Sequence, residues 1–428
     1  MINNDSIIAG LDVGSAKTTI CLGGVDAQGR IEIQHASMVK TRGMERGIIT
    51  DLGEVAACIE EVIKKVEIKL QRSDQKNKLW SKKNFKINSV YATISGEHVL
   101  GNNTKGMLNL SNRPVEIGRK DMSKAIESAK YLSSSIDREI IHALAQEYVI
   151  DGYKRIKDPL GIYATRLGVN LHILTAELSF ITNVVKAINR AGIDVEQLAY
   201  SGLATSFSTI TEQEKQAGVI LLELGAGTVN ILFFCEGSLQ YTSVIPIGGQ
   251  DITMQISSLL GIDFAQAEEL KMQYKSRCDR DNSEQENCDD KIIIKKDAAN
   301  YESITRKALA DIIDKKLDII LGLIKKDIEL AGILSRVNCG VVVCGGMSFM
   351  DGIIERLEKI TKLPVNMGIM RGFVSGSSGM SNIFYATGIG LVMHALNDRK
   401  NYNNGVFLTH SFLGKMITKI RNIYEEYF

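Results

Sequence analysis

Short apolar runs that stop at small-residue turns recur along the chain, and each predicts a strand ending in a tight bend. Residues 7 to 13, IIAGLDV, halt at Gly14-Ser15; a second run, Thr18 to Leu22, precedes Asp26, Gln28 and Gly29, the pattern of a β-hairpin. From Asp51 to Leu70 the spacing turns helical, with Val55, Ile59, Val62, Ile63, Val66 and Leu70 on one face, before a Lys-rich stretch from 71 to 86. Strand-like pieces at Val90 to Ile94 and Ile140 to Val149, around a helical stretch from Met122 to Leu132, predict a small α+β insertion. Helical spacing resumes at Ala176 to Ala191, and Val219 to Leu224 with Thr228 to Phe234 repeat the strand-turn-strand theme. Residues 250 to 335 read as mainly helical, except Tyr274 to Ala299, so charged that a mobile loop is expected. A strand from Val341 to Val343 runs into Gly345-Gly346, and helices are expected from about Phe349 to Ile360 and Tyr385 to Leu396.

The pattern changes abruptly at the C-terminal end. Residues 397 to 410, NDRKNYNNGVFLTH, are polar and Asn-rich like a linker. Beyond them Phe412, Leu413, Met416, Ile417, Ile420, Ile423, Tyr424, Tyr427 and Phe428 recur at helical spacing, with Lys415, Lys419, Arg421, Glu425 and Glu426 on other faces. Such a helix can lie in the interface of an anionic membrane, or it can dock on the protein's own core.

Composition narrows the class. A chain of 428 residues with 44% hydrophobic and 24% charged residues fits two lobes, each able to bury a core. A formal net charge of +1 gives no footprint for nucleic acid. The seven cysteines contain no CxxC pair, which argues against a zinc site or a disulfide framework and for a reducing cytoplasm. Met1 to Ser6 lack the basic and apolar regions of a signal peptide, and even the richest segment, Gly218 to Cys235, carries Glu223 and Asn230. Any membrane contact is therefore expected to be peripheral.

The candidate chemistry sits at three turns: Asp12-Val13-Gly14-Ser15-Ala16-Lys17, Glu223-Leu224-Gly225-Ala226-Gly227-Thr228 and Cys344-Gly345-Gly346. Small residues let backbone N–H groups approach a phosphate closely, and two such hairpins can clamp a polyphosphate from two sides. Asp12 and Glu223 would repel that phosphate unless a cation lay between, which implies Mg²⁺ held through water. Lys17 adds positive charge at the first turn. Taken singly, each turn could be only a hairpin.

In this order, GLDVGSAKT at 10 to 18, LLELGAGTVNILFF at 221 to 234 and VVVCGGMSFMDGI at 341 to 353 resemble the motifs of the actin-like ATPase superfamily. The stretches at 172 to 207, 245 to 271 and 384 to 391 narrow the resemblance to the bacterial cell-division family FtsA over nearly the whole chain. The resemblance implies an α/β, two-lobed actin-like fold with duplicated RNase H-like cores, an FtsA-type inserted subdomain and a C-terminal amphipathic helix. It implies a first-lobe core from 1–86 and 168–200, completed by about 384–396, an insertion at 87–167, and a second-lobe core from 201–249 and 336–383. A helical subdomain at 250–335, the linker at 397–410 and the membrane helix at 411–428 complete the division.

The same resemblance implies an ATP and Mg²⁺ site, with Glu268 and Lys271 reaching ribose or adenine and Met347 beside the third turn. Glu268 and Lys271 also read as an ordinary i,i+3 ion pair. It further implies protofilaments of the chain itself on the cytoplasmic face of the bacterial inner membrane, tethering of FtsZ and recruitment of later division proteins. The FtsZ tail would meet Lys315, Lys316, Lys325 and Lys326, which equally fit a solvated helix face. Where the family pattern carries Asp at 223 and at 230, this chain has Glu223 and Asn230, so nucleotide binding is expected with weak or absent hydrolysis. Three rivals remain: a sugar kinase, which would need a catalytic Asp in a polar pocket, and assembly proteins of the PilM or MreB kind.

Overall fold

The computed structural model describes residues 7–73, 86–133, 135–274, 291–295, 301–376 and 383–403. The charged segment at 275–290, residues 296–300 and the amphipathic segment at 411–428 lie outside the described residues.

The apolar runs fold into two sheets of the same design. In the first, Ile8–Val13, Lys17–Val25 and Ile31–Lys40 form an antiparallel meander, and Ser89–Ile94 and then Asp194–Tyr200 add in parallel beside Ile8–Val13. The second repeats that order with Val219–Leu224, Val229–Cys235 and Ser238–Ile245, extended by Val341–Cys344 and Val365–Met367. This duplication brings the two glycine hairpins to equivalent places, one per sheet.

Both faces of each central strand are covered, which explains why Ile8–Val13 and Val219–Leu224 are nearly continuous apolar runs rather than alternating ones. Side chains on successive residues point to opposite faces. Val219 and Leu221 therefore join a core that extends through the first lobe, while Ile220, Leu222 and Leu224 join the core of the second. The helix Leu52–Ser73 begins with the Glu54 N–H donating to Asp51 Oδ1 (3.0 Å) and buries Val55, Ile59, Val62, Val66 and Leu70 against the first sheet. In the second lobe, Arg306–Ala331 starts at Thr305, whose hydroxyl accepts from the Ala308 N–H, and stops at Gly332 with φ 63°.

Between the sheets' strands, Val99–Asn109, Arg138–Ile150, Lys154–Ile156 and Arg166–Glu177 build a separate four-stranded sheet covered by the helix Arg119–Leu132. The structure differs from the pattern in four places. Val90 to Ile94, read among the strands of the insertion, belongs to Ser89–Ile94, which lies between Ile8–Val13 and Asp194–Tyr200 in the first-lobe sheet, because strand partners are not encoded in local periodicity. Lys291–Lys295, expected inside a loop, pairs with Tyr301–Thr305 and buries Ile294. The helix expected from Phe349 starts at Ile353, after Gly352 takes a left-handed φ of 71°. The last helix, Ala386–Asn403, runs into the expected linker.

Candidate nucleotide-binding cleft

The two hairpins face each other across a cleft of about 210 Å³. Each closes in the same way: the Gly14 N–H donates to the Lys17 carbonyl (3.0 Å) and the Gly225 N–H to the Thr228 carbonyl (2.9 Å). The strand ladders begin at Val13 opposite Thr18 and Leu224 opposite Val229, so the N–H groups of Ser15, Ala16, Ala226 and Gly227 stand outside them. Glycine is required where the turns meet: a Cβ on Gly227 would sit 2.6 Å from Ser15 Oγ and 2.7 Å from the Arg46 backbone. Such a donor-rich, side-chain-poor cradle fits a polyphosphate.

Thirteen of the expected residues come together here: Asp12, Gly14, Ser15, Ala16, Lys17, Glu223, Gly225, Ala226, Gly227, Thr228, Asn230, Gly345 and Gly346 line the cleft. Three are placed elsewhere. Glu268 and Lys271 form an ion pair (2.7 Å) in which Lys271 Nζ also donates to the Gly249 carbonyl (3.0 Å), holding the start of the helix Gly249–Leu260. That start is bonded to the second turn through Gly249 N–H to Gly225 C=O (3.1 Å) and Gln250 N–H to Ala226 C=O (2.8 Å). Met347 is buried in the second core, its side chain facing Gly249.

The carboxylates have different surroundings. Asp12 is buried and accepts one side-chain bond, from Thr93 Oγ1 (2.7 Å). Burial pushes its carboxyl up to about 6, the Glu223 charge adds to the rise, and Thr93 and Lys17 work against it. Lys17 donates to the Phe384 carbonyl (2.5 Å) and lies 4.6 Å from that ring's centre; burial lowers its pKa, opposed by Asp12 and Glu223. Glu223 accepts from Thr205 (2.9 Å) and Thr387 (3.0 Å) on Oε1, and from Ser201 (3.1 Å) and Asn230 Nδ2 (2.6 Å) on Oε2.

The pattern missed Thr93, Ser95, Ser201, Thr205, Phe384 and Thr387, all of which line the cleft. A signal existed for two of them. Ser201 and Thr205 stand four residues apart in SGLATSFST, on one face of a helix that also buries the hydroxyls of Ser206, Ser208 and Thr209. The duplicated topology identifies a further turn, Ser95-Gly96, at the place in the first sheet that Gly345-Gly346 holds in the second.

Two family models match the chain: "SHS2 domain inserted in FTSA" at residues 96–175 and "Cell division protein FtsA" at residues 220–390, together more than half of its length. The chain is 28% identical over 400 residues to the cell division protein FtsA of Pseudomonas aeruginosa, covering 94% of this chain and 92% of that one. With FtsA of Neisseria meningitidis it shares 28% over 428 residues, with 98% of each covered, and with FtsA of Escherichia coli 26% over 402 residues, covering 92% and 91%. Among solved structures, the PilM-PilN type IV pilus biogenesis complex superposes with a TM-score of 0.63 at 14% identity, covering 91% of this chain and 98% of that one. MreB5 of Spiroplasma citri bound to ADP gives 0.54 at 11%, covering 93% and 99%. The actin-like fold, the matched insertion and the relatives spanning nearly the full length agree: the chain belongs to the FtsA family of cell division proteins.

Proposed function

We propose that the protein binds ATP with Mg²⁺ between its two glycine hairpins, assembles into protofilaments on the inner face of the plasma membrane, anchors FtsZ there and recruits later division proteins. The observation that carries the nucleotide reading is the opposition of two equivalent turns across one cleft. Backbone N–H groups of Ser15, Ala16, Ala226 and Gly227 would hold phosphates, Lys17 would add charge, and Mg²⁺ would sit through water beside Asp12. Asn230 removes a charge from the second hairpin, and hydrolysis is accordingly weak or absent.

The FtsZ reading is supported by the helix Arg306–Ala331. Its outer face exposes Ile319, Leu323 and Leu330, and Lys315, Lys325 and Lys326 are exposed beside them. An apolar stripe edged with lysines suits an acidic, partly apolar tail peptide. The membrane reading rests on the amphipathic pattern of residues 411–428; single helices of that kind bind weakly, and polymerisation multiplies them.

Co-sedimentation with anionic vesicles tests the reading, using the full chain and a chain ending at Asn403, the last residue of the closing helix. The full chain should pellet and carry FtsZ with it in Mg-ATP, and the shortened chain should do neither. If both remain in the supernatant with FtsZ present, the tether is wrong.

A further inference from the structure

We infer that Glu223 is a strut across the lobe boundary, not a carboxylate that holds a metal-bound water, and that Asp12 alone serves the cation of the cleft. The inference rests on the nucleotide reading and deepens it. An ionised carboxylate has about four acceptor positions, and Glu223 has four donors upon it.

The protons can be counted. Asn230 Nδ2 has two, one for Glu223 Oε2 (2.6 Å) and one for Ser201 Oγ (3.1 Å), and Ser201 passes its own to Oε2 (3.1 Å). On Oε1 the hydroxyl protons of Thr205 and Thr387 both fit, and their mutual approach of 2.9 Å follows from converging on one charged oxygen. A water of the cation could reach Glu223 only by displacing one of these donors. Asn230 stands directly opposite Glu223 in the hairpin register, so the strand pairing itself delivers the shortest of the four bonds.

The donors also define what the strut joins. Glu223 and Asn230 belong to the second-lobe hairpin, and Ser201 and Thr205 to the helix Ser201–Thr209 that follows the strand Asp194–Tyr200 of the first sheet. Thr387 lies on the helix Ala386–Asn403, which packs on the first-lobe strands Ile8–Val13 and Lys17–Val25. Asp12, by contrast, accepts a side-chain bond only from Thr93 among the described residues and lines the cleft.

Equilibrium binding of a fluorescent ATP analogue to the full chain, with and without Mg²⁺, separates the roles. Glu223→Gln keeps the shape: with its amide nitrogen at the Oε1 position the hydroxyls of Thr205 and Thr387 can turn to accept, and its amide oxygen still accepts from Ser201 and Asn230. Its Kd in Mg²⁺ should stay within about threefold of the parent, whereas Asp12→Asn should weaken Mg²⁺-dependent binding by about tenfold or more. Thr387→Val removes one donor of the strut and should lower the thermal midpoint while leaving the Mg²⁺ dependence intact; it serves as the readout if Glu223→Gln fails to fold. Loss of Mg²⁺ dependence in Glu223→Gln comparable to that in Asp12→Asn overturns the strut, as does Thr387→Val with the parent midpoint. A parent chain that binds no analogue at all overturns the nucleotide reading itself, a result distinct from either.

Discussion

At the scale of single residues, the tightest demand lies where the closing helix crosses the helix Ser201–Thr209. A Cβ placed on Gly390 would overlap the Ala204 carbonyl, and one on Gly10 would come within 2.6 Å of the Gly388 carbonyl. Backbone cannot yield as a flexible side chain can, so overpacking here forces the helices apart. Gly390→Ala should destabilise by about 2–3 kcal/mol in urea titration, despite alanine's better helix propensity. A change of under about 0.5 kcal/mol would show that the crossing relaxes freely. Residues of this kind separate what was legible from what was not. The glycines of the hairpins could be read because anion binding by backbone demands small residues beside a strand end. Thr387 and Phe384 could not, since they enter the cleft from a segment more than 150 residues beyond the hairpin they face, and nothing in FYATGIGL marks either for that role.

At the scale of elements, the insertion is gripped by the second lobe. Gln146 Nε2 donates to the Leu239 carbonyl (2.9 Å) and Asn103 Nδ2 to the Gln240 carbonyl (3.0 Å), both on the strand Ser238–Ile245. The Asn103 oxygen then faces His172 Nδ1 at 2.7 Å, which assigns the ring proton to Nδ1 and leaves Nε2 to accept from Thr242 Oγ1 at 3.0 Å. The neutral ring is what this pocket holds, and burial pushes the His172 pKa down to about 4. Between that value and the ordinary 6.5, the unfolded chain takes up a proton that the folded chain refuses. The stabilisation is therefore complete above pH 6.5 and is lost as pH falls toward about 4, up to roughly 3 kcal/mol. His98, 2% exposed and stacked on Phe180, titrates in the same window, also pushed down to about 4. His172→Gln should thus flatten part of the fall in unfolding free energy between pH 7 and 4.5. Parallel pH profiles for parent and variant would remove His172 from the account. The sequence announced one strand of this insertion, at Ile140 to Val149, but not its grip, because a histidine in an apolar run looks the same whether it meets core or partner strand.

At the scale of the whole molecule, two lobes around a cleft suggest two independent folding units, but the packing argues otherwise. The second-lobe sheet is shared: Val219, Leu221, Leu232, Phe234 and Val342 belong to the same buried cluster as Leu11, Ile59 and Val62, while the alternate residues Ile220, Leu222, Ile231 and Phe233 face the helical subdomain. A sheet with one face in each core cannot lose one partner without exposing a row of fully buried aliphatic side chains to water, at about 1.5–3 kcal/mol for each. The Glu223 bonds to Ser201, Thr205 and Thr387 reinforce the same junction. Two buried cysteines report on the two sides: Cys58 on the helix Leu52–Ser73, fully buried, and Cys235 in the second core at 7% exposure. Pulse labelling with a thiol reagent across a urea series, read residue by residue by mass spectrometry, should give both the same midpoint to within about 0.3 M, since a shared core unfolds as one unit. If Cys235 became reactive more than about 1 M before Cys58, the lobes would be separable despite the common sheet, and closure of the cleft would be a hinge between independent bodies.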